Sequence, residues 1–499
     1  MIFNINIRSR YREIVKIDHF ELLENHINFL FGESGIGKTM IARAIYGLLN
    51  PGDFNITINN LSYRSYLIEL QTKKILENGF FVFQEPSSHL NPLMPLSDQL
   101  NEGSLSKIPS EQQILKQLWH NADDQTLKKL LTIYPKPYRP SGGEKQRILL
   151  AMAFKKIDRF ISSTTANDNP LFIFDEPTGS LDNEYRNLFL KILFEKYTKK
   201  KCTVLLITHD YSMISEIATR HALIMKDVVF KELSRSQTSL MQNDFSAHIY
   251  LDWINKVVPQ KNLNRENLKV LLRVNSDVQV FNRQLMISND LFGRESCPLQ
   301  IHEREIVYLK AGSGVGKTTL AKIIMGLIKA NKFILEFSDI RLNEHSALTQ
   351  WRARIWAKKA GMVFQHADEA LNLNSKVKDV FKGLPGSGKM SSQELLSKLE
   401  LVFDGEIDQA FLNKKIAYLS GGQKQRLNLL RTLVLDTEII ILDEPLNGLD
   451  FHSIRKIISI LREKQLEGKG LLLISHNEEI FDHLVAPESI YYLNAKILV

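Results

Sequence analysis

The sequence predicts an α/β protein built from two tandem domains, each with a mixed or parallel sheet core and a helical subdomain. Three observations support this prediction. The chain has 499 residues, too many for one ordinary hydrophobic core. A glycine-rich loop follows an apolar strand and precedes a helix, a pattern typical of phosphate-binding folds. The same set of motifs then occurs a second time, in the same order.

The composition is that of a soluble globular protein. Hydrophobic residues make up 44% of the chain and charged residues 24%. No apolar run approaches the ~18 residues of a membrane span. Cys202 and Cys297 are the only cysteines, which argues against a disulfide framework and against a Cys₄ metal or iron–sulfur site. Met1–Ile7 alternates like a strand and not like a signal peptide, so we expect a cytoplasmic protein.

The net charge of +8 raises the question of nucleic-acid binding. Lysine and arginine are spread over both halves, with only short clusters such as Lys199–Lys201. A dispersed excess is more typical of a solvated surface, or of contact with anionic headgroups and phosphates, than of a nucleic-acid groove. We therefore expect no direct nucleic-acid partner.

The first motif, Gly32–Thr39, fits the pattern G-x-x-x-x-G-K-[ST], and the apolar run Ile27–Phe31 precedes it. In such a loop the backbone N–H groups cradle phosphates, the Lys38 amine reaches the outer phosphates and the Thr39 hydroxyl ligates Mg²⁺. A chance glycine-rich turn before a helix is the alternative. The residues assigned here to phosphate binding are Gly32, Ser34, Gly35, Gly37, Lys38 and Thr39.

Two further residues are candidates for contact with a nucleotide. Tyr11 lies upstream of the loop, where an aromatic ring could stack on a base, although a surface tyrosine on a hairpin would look the same. Gln84 follows the apolar strand Gly79–Phe83. Its amide could contact Mg²⁺ and an attacking water without adding charge, and a plain strand-end glutamine is the alternative.

Three later segments complete the first set. Ser141-Gly142-Gly143 opens an apolar helix, whose N-terminus could face an anion or be simply capped by the serine. The strand Leu171–Phe174 ends in Asp175, a candidate to hold Mg²⁺ through water, and Glu176, a candidate to polarise a nucleophilic water. His209 ends another buried strand, where a lone histidine would more often be structural.

Each of these features recurs in the second half of the chain, which makes coincidence an inadequate explanation. The recurring residues are the second loop Ala311–Thr318 with Ser313, Gly314, Gly316, Lys317 and Thr318, the strand-end Gln365, the helix start Ser420-Gly421-Gly422, the carboxylates Asp443 and Glu444, and His476. Phe292 is also assigned to the nucleotide site of this half.

These residues resemble the motifs of ABC ATPases, with two nucleotide-binding domains fused in one chain. The resemblance covers nearly all of 1–232 and 266–499, leaving 233–265 as a linker with a short helical segment. It implies two P-loop NTPase domains of the ABC type that bind and hydrolyse ATP with Mg²⁺. By resemblance, the glycine loops are Walker A motifs and the Ser-Gly-Gly helix starts are signature motifs. Gln84 and Gln365 are Q-loop residues, Asp175 and Asp443 Walker B aspartates, Glu176 and Glu444 catalytic glutamates, and His209 and His476 switch histidines.

In similar proteins the two domains close head to tail, and each nucleotide is bound between the Walker A motif of one domain and the signature motif of the other. Site one would then combine the Gly32–Thr39 loop with Ser420–Gly422, and site two the Ala311–Thr318 loop with Ser141–Gly143. The resemblance implies metal ligation by Thr39, Gln84 and Asp175 in the first domain, and by Thr318, Gln365 and Asp443 in the second.

The second site departs from the family pattern at three positions. Ala311 replaces the first glycine of its loop, which matters only if that position needs a positive φ. Pro140 and Glu144 replace the usual leucine and glutamine of the signature. We expect both sites to hydrolyse ATP, with site two the slower. A third glycine loop, Gly383–Lys389, ends before Met390, which cannot ligate Mg²⁺, and is interpreted as a flexible loop.

A finer resemblance points to the oligopeptide, dipeptide and nickel importer group. The segment Gln84–Pro92 resembles the one that follows the Q-loop there, and His248–Pro259 resembles the segment after the catalytic domain. The cysteine cluster usual in that group is missing, so no iron–sulfur site is carried over. The implied partners are two membrane-spanning permease subunits and, through them, a substrate-binding protein, with the chain peripheral on the inner face of the cell membrane.

Two other functions remain open. A soluble twin ABC protein acting on ribosomes would typically carry a long charged helical linker, whereas residues 233–265 are short and mixed. A DNA-repair or chromosome-structuring ATPase would need long coiled-coil heptads, which the sequence does not show. The transported substrate is not encoded in these motifs.

Overall fold

The computed structural model describes most of the chain, in two compact units, Met1–Leu251 and Asp252–Val499. The described residues are 1–10, 12–72, 79–91, 93–101, 111–120, 123, 125–127, 131, 141–163, 169–179, 183–236, 239–260, 265–291, 295–312, 314–384, 390–403, 407–476 and 478–498.

The first unit is organised around one ten-stranded sheet. Its strands are β1 (Ile2–Arg8), β2 (Glu13–Glu21), β3 (Ile27–Gly32), β4 (Asn55–Ile58), β5 (Leu61–Ser62), β6 (Phe80–Val82), β7 (Leu171–Asp175), β8 (Thr203–Ile207), β9 (Val228–Arg235) and β10 (Leu240–Asp244). Their order across the sheet is β5-β4-β1-β2-β10-β9-β3-β8-β7-β6.

One half of this sheet is parallel and buried on both faces. Strands β9, β3, β8, β7 and β6 run parallel to one another. Every residue of β3, β7 and β8 is buried, as their unbroken apolar sequences predict. Because the carboxyl ends of parallel strands meet at one edge, the glycine loop, the Asp175–Glu176 pair and His209 all leave the sheet on the same side.

The other half is mainly antiparallel and half-exposed, although β10 and β2 pair in parallel. Strand β1 pairs with β2 and with β4 in antiparallel register, and its buried residues alternate with exposed or half-buried ones. Around the sheet lie helices Lys38–Ile45, Tyr63–Thr72, Leu96–Asn101, Glu111–Leu118, Gly142–Ser162, Asn183–Lys199, Ser212–Arg220 and Ala247–Lys256, with 3₁₀ turns at Pro86–Ser88 and Ala222–Asp227.

The segment predicted to be a linker, residues 233–265, is largely part of the two units. Strand β9 continues to Arg235, and β10 pairs with it along its whole length. Leu240 is buried and pairs with Ile17 of β2, so a hydrophobic contact across some 220 positions of sequence keeps this segment in the first sheet. The division between the units falls inside the helix Ala247–Lys256.

The second unit repeats the buried parallel core but divides its strands between two sheets. Its strands are β11 (Val270–Val274), β12 (Asp277–Val280), β13 (Arg283–Ser288), β14 (Leu299–His302), β15 (Ile306–Lys310), β16 (Ile334–Phe337), β17 (Ile340–Asn343), β18 (Ala360–Val363), β19 (Ile439–Asp443), β20 (Gly470–Ile474) and β21 (Ile490–Ile497). The sheet orders are β14-β11-β16-β17 and β12-β13-β21-β15-β20-β19-β18.

The helices of the second unit include a group with its own hydrophobic core. The helical segments are Lys317–Ile324, Leu348–Gln350 with a π-helical turn Trp351–Ile355, Ala367–Ala370, Ser392–Glu400, Gln409–Asn413, Gly421–Leu433, Phe451–Leu466 and Glu478–Leu484, with 3₁₀ turns at Arg265–Asn267, Val377–Asp379, Ile416–Tyr418 and Pro487–Ser489. Residues from 367 to 430 form a separate buried cluster, which includes Leu395, Leu399 and Leu427. This cluster is the predicted helical subdomain, and the predicted α/β fold class is confirmed.

No helix in the described part of the chain is both long enough and apolar enough to cross a membrane.

Candidate nucleotide-binding sites

The first glycine loop surrounds a buried cation. Strand β3 ends at Gly32, which has a φ of 137°, and the helix after the loop begins at Lys38, behind Gly37 with a φ of 123°. The Lys38 amine donates to the carbonyl oxygens of Gly32, at 2.5 Å, and of Glu33, at 3.0 Å. Burial lowers the pKa of Lys38, and the nearby Glu176 and Asp175 charges oppose that shift. A buried amine beside the N-terminus of a helix forms a site for an anion.

Asp175, at the end of β7, faces the hydroxyl of Thr39. The hydroxyl donates to Oδ1 of Asp175 at 3.1 Å, and among the described residues Oδ2 has no hydrogen-bond partner although it is buried. Burial raises the pKa of Asp175 to about 6, and the Thr39 hydrogen bond partly offsets this. An unpaired buried carboxylate oxygen beside a hydroxyl fits a hydrated Mg²⁺, which needs only one or two carboxylates besides nucleotide phosphates and water.

Glu176 and His209 form a close pair at the same edge of the sheet. Glu176 has a φ of 48°, a conformation that turns its side chain away from the strand direction. Its Oε2 lies 2.9 Å from Nδ1 of His209. Burial lowers the pKa of His209, but the charge and hydrogen bond of Glu176 outweigh burial, so the pKa is raised. The predicted base and the predicted switch histidine are therefore in direct contact.

The second glycine loop holds its lysine in the same way. The Lys317 amine donates to the carbonyl oxygens of Ala311, at 2.6 Å, and of Gly312, at 3.3 Å. Ala311 is not one of the described non-glycine residues that have a positive φ. The corresponding residue of the first loop, Gly32, has a φ of 137°. The two loops therefore leave their strands with different backbone conformations, and this difference explains why alanine is tolerated in the second.

The Walker B-like carboxylate of the second unit is more isolated than that of the first. Both oxygens of Asp443 are buried without a hydrogen-bond partner in the described chain. Burial raises the pKa of Asp443, and the Thr318 hydroxyl and the amines of Lys322 and Lys317 partly offset it. Asp443 and Thr318 thus also fit Mg²⁺, which would supply positive charge to the nucleotide phosphates.

Glu444 has a different environment from its counterpart Glu176. Its Oε2 accepts from the Ser475 hydroxyl at 2.9 Å and from the backbone N–H of His476 at 3.2 Å. The His476 ring is farther away, with Nε2 at 3.7 Å from Oε1 of Glu444. Burial raises the pKa of Glu444 to about 7, against the lowering effect of those hydrogen bonds. The two candidate bases therefore differ in their hydrogen-bond partners.

The two signature-like helix starts share one capping geometry with different charge. The Ser141 hydroxyl accepts from the Glu144 N–H at 3.2 Å, and the Ser141 N–H donates to the Glu144 carboxylate at 2.8 Å. Ser420 and Gln423 form the same reciprocal pair, at 3.1 Å in both directions. The first helix thus carries a carboxylate where the second carries a neutral amide, and a carboxylate there reduces the attraction for a further anion.

For the remaining predicted residues, the structure gives a location or a degree of burial. The helix starts contain Gly142 and Gly143 in the first unit and Gly421 and Gly422 in the second. Gln84 is exposed and Gln365 is half-buried, each just beyond its strand. Tyr11, Phe292 and Ser313 lie outside the described residues, as do Pro140 and most of the third glycine loop.

Sequence reasoning missed a positive side chain beside the second loop. Nη1 of Arg283, the first residue of β13, donates to the carbonyl oxygen of Gly314 at 3.0 Å. Leu285, two residues later, lies beneath Gly316, as Val15 of β2 lies beneath Gly37. Arg283 therefore occupies the position of Glu13. A residue in a distant hairpin carries no motif signal that could have identified it.

We expect Arg283→Ala to weaken ATP binding at the second loop about threefold, since one charge-assisted hydrogen bond to that loop is lost. The measurement is the dissociation constant for ATP in a Lys38→Ala background, where the first loop is disabled. Glu13→Ala is the matched control and should leave that constant unchanged. An equal effect from both variants would contradict the assignment.

Comparisons with known proteins agree with this geometry. The sequence profile of the ABC transporter family matches residues 15–179 and 295–447. The chain is 26% identical over 490 residues to the peptidoglycan transport ATP-binding protein YejF of Agrobacterium fabrum, covering 93% of this chain and 85% of that one. It is 23% identical over 527 residues to the glutathione import ATP-binding protein GsiA of Shigella dysenteriae, covering 95% and 81% respectively.

A solved structure also matches over both units. The structure of the RNase-L inhibitor aligns with 98% of this chain and 89% of its own, with 17% identity and a TM-score of 0.60. That likeness is one of fold alone. Since the family profile covers well over half of the residues and occurs once in each unit, the chain belongs to the ABC transporter family, as an ATPase with two tandem ABC domains.

Proposed function

We propose that the chain is the energy-coupling ATPase of an ABC importer of the peptide or nickel type. In this proposal ATP-driven closure of the two domains acts on two permease subunits, which in turn receive cargo from a substrate-binding protein. The observation that carries it is that similarity to transport and import ATP-binding proteins runs through both halves, over 93% and 95% of the chain. The chain would then be a peripheral protein on the cytoplasmic face of the membrane.

The proposed chemistry uses the groups already described. Lys38 and Lys317 bind the outer phosphates, and Thr39 with Asp175, and Thr318 with Asp443, hold Mg²⁺ in each half. Glu176 and Glu444 orient and polarise the attacking water, with His209 and His476 beside them. Backbone N–H groups after Ser141 and Ser420 complete the cage of the phosphate in the opposite half.

The segments after Gln84 and Gln365 are the proposed docking surfaces for the permeases. In the first, the His89 ring packs on Phe80 and Phe83, with centroids 5.0 and 5.4 Å apart, and Leu93 is 83% exposed. In the second, the helix Ala367–Ala370 is held by ion pairs from Lys322 and Lys424 to its two carboxylates. Each segment is thus anchored to its own domain while an outer face stays accessible.

The second candidate is a soluble twin ABC protein acting on ribosomes. It is favoured by the fold likeness to the RNase-L inhibitor and to an archaeal ribosome recycling factor, which aligns over 95% of this chain with a TM-score of 0.58. Both likenesses are at 17% identity, whereas the transport proteins are more similar in sequence. We therefore rank the importer first.

A pull-down from detergent-solubilised membranes distinguishes the two functions. The bait is the Glu176→Gln/Glu444→Gln protein with ATP, which should remain in the ATP-bound state because both bases are removed. Lys38→Ala/Lys317→Ala, which should not bind ATP, is the matched control. Recovery of two polytopic membrane proteins supports the importer. Recovery of ribosomes without a permease overturns it in favour of the second candidate.

A further inference from the structure

The signature-like helix of the second unit, Gly421–Leu433, makes polar contacts with the strand that leads to Gln365. Nδ2 of Asn428 donates to the carbonyl oxygen of Phe364, the residue before Gln365, at 3.1 Å. Nε2 of Gln425 lies 3.5 Å from the same oxygen and 3.4 Å from the carbonyl oxygen of Glu444. Both amides are at least 96% buried, so these contacts are made away from competing water.

A third side chain on the same helix face extends this row. The hydroxyl of Thr432 lies 3.1 Å from the carbonyl oxygen of Met362, within β18, and 3.2 Å from the carbonyl oxygen of Asn428 in its own helix, and Thr432 is 3% exposed. Positions 425, 428 and 432 share one helix face because they are spaced by three and four residues. Three buried polar side chains of one helix therefore reach the carbonyl oxygens of Met362, within β18, and of Phe364, just beyond its end.

The described part of the first unit lacks this arrangement, although its helix has the same motif. Counting from Ser141 and Ser420, Asn428 corresponds to Leu149 and Thr432 to Ala153, both apolar and buried. The amide of Gln146, which corresponds to Gln425, is 1% exposed and has no hydrogen-bond partner among the described residues. Gln84 is correspondingly exposed, whereas Gln365 is half-buried.

We propose that Asn428, with Gln425 and Thr432, positions Gln365 from the signature-like helix, and that the described part of the first unit has no equivalent hydrogen bond to the Phe83 carbonyl. A hydrogen bond to the Phe364 carbonyl fixes the peptide that sets the direction of the Gln365 side chain. A movement of the helical subdomain would then be transmitted to Gln365 directly. In the first unit the helix contacts this segment through the Lys145 amine, which donates to the Ser87 hydroxyl at 3.2 Å, three residues beyond Gln84. Among the described residues, no side chain of that helix donates to the Phe83 carbonyl.

The consequence is a functional asymmetry between the two ATP sites. In the second unit the backbone that carries Gln365 is held by a buried hydrogen bond before nucleotide binds, whereas among the described residues of the first unit no such bond holds the Phe83 carbonyl beside Gln84. This inference rests on the assignment of Gln365 to the nucleotide site but not on the identity of the transporter's partners. Asn428, Gln425 and Thr432 act through the Phe364–Gln365 backbone and are positioning residues, not catalytic ones.

Hydrogen exchange of the protein without nucleotide or metal tests the positioning directly. Asn428→Leu, which installs the residue of the first unit, should accelerate exchange at the backbone amides of residues 364–366 about fivefold to tenfold, as expected for the loss of one buried hydrogen bond. Amides of the central strands β19 and β20 should not change, which shows that the unit remains folded. Thr432→Ala is the second variant, with a smaller acceleration. Unchanged exchange at 364–366 in both variants would overturn the proposal.

Leu149→Asn is the reciprocal test in the first unit. It should supply a donor for the Phe83 carbonyl and slow exchange around Gln84 relative to the wild-type chain.

An activity measurement on the second unit is the Mg²⁺ concentration for half-maximal hydrolysis in a Glu176→Gln background. Asn428→Leu should raise it about threefold to tenfold, and should have no further effect once Gln365→Ala is present. If Asn428→Leu raised the required Mg²⁺ concentration further when Gln365→Ala is already present, Asn428 would act through another residue. That outcome would refute positioning through Gln365, even if Asn428→Leu accelerated hydrogen exchange at residues 364–366 as expected.

Discussion

Glu176→Gln is expected to reduce ATP turnover at saturating ATP by about tenfold or more, whereas Glu444→Gln should reduce it by about half or less. Glu176 is paired with His209 at 2.9 Å, while burial raises the pKa of Glu444 to about 7. A protonated carboxyl cannot polarise water as a base, so at neutral pH a large share of Glu444 is in the inactive form. The measurement is steady-state phosphate release from each single variant and from the double variant.

The pH dependence of the residual activity checks the reason for this asymmetry. In the Glu176→Gln background, turnover should rise between about pH 6 and about pH 8 as Glu444 loses its proton. Turnover should increase with pH because only the deprotonated Glu444 carboxylate can act as a base, and this form predominates above the raised pKa of Glu444. A larger loss from Glu444→Gln than from Glu176→Gln would refute the order of the two sites, and a flat pH profile would refute the explanation by ionisation.

The capping carboxylate Glu144 should contribute to the same asymmetry. By resemblance, its helix start belongs to the site that contains Glu444. Glu144→Gln, which installs the residue found at Gln423, is expected to raise the residual turnover of the Glu176→Gln protein about twofold to fivefold by removing a negative charge near the transferred phosphate. The reciprocal Gln423→Glu should lower turnover at the other site.

Gly32→Ala should destabilise the first unit by about 2 kcal/mol and abolish tight ATP binding there. A Cβ at Gly32 would lie 2.7 Å from the carbonyl oxygen of Leu233, at a φ of 137° that alanine adopts only with strain. Because Leu233 belongs to β9, relief would require moving a core strand or the loop itself. The measurements are the first unfolding transition in denaturant and the ATP affinity in a Lys317→Ala background.

Ala311→Gly is the matched control for that prediction. Since Ala311 has no positive φ and the loop already accommodates its methyl group, the change should cost less than about 1 kcal/mol. Equal losses from the two substitutions would show that the two loops have the same backbone requirements, contrary to the structure.

Local motifs made the fold and the placement of the candidate site residues predictable. The glycine loops, the strand-end carboxylates and the histidines are each encoded within a few consecutive residues, and parallel strands bring their ends together without further information. The sequence also shows that Ala311 replaces the first glycine of the second loop. Whether this replacement strains the loop depends on the φ angle at position 311, which the glycine pattern does not specify.

The features that were missed depend on contacts between distant segments. The sequence places β10 within the predicted linker, because its membership of the first sheet is set by pairing with β2 and β9. Arg283 reaches the second loop from a separate hairpin, and Asn428 and Thr432 look like ordinary helix positions until the strand beneath them is known. In each case the tertiary partner, and not the local pattern, defines the role of the residue.

Counting bound nucleotides tests most directly the central claim that each half of the chain contains an ATP site. Native mass spectrometry of the Glu176→Gln/Glu444→Gln protein with ATP and Mg²⁺ should show two ATP molecules per chain, and Lys38→Ala or Lys317→Ala should each remove one. A maximum of one ATP per chain, unaffected by one of the two lysine substitutions, would contradict the account.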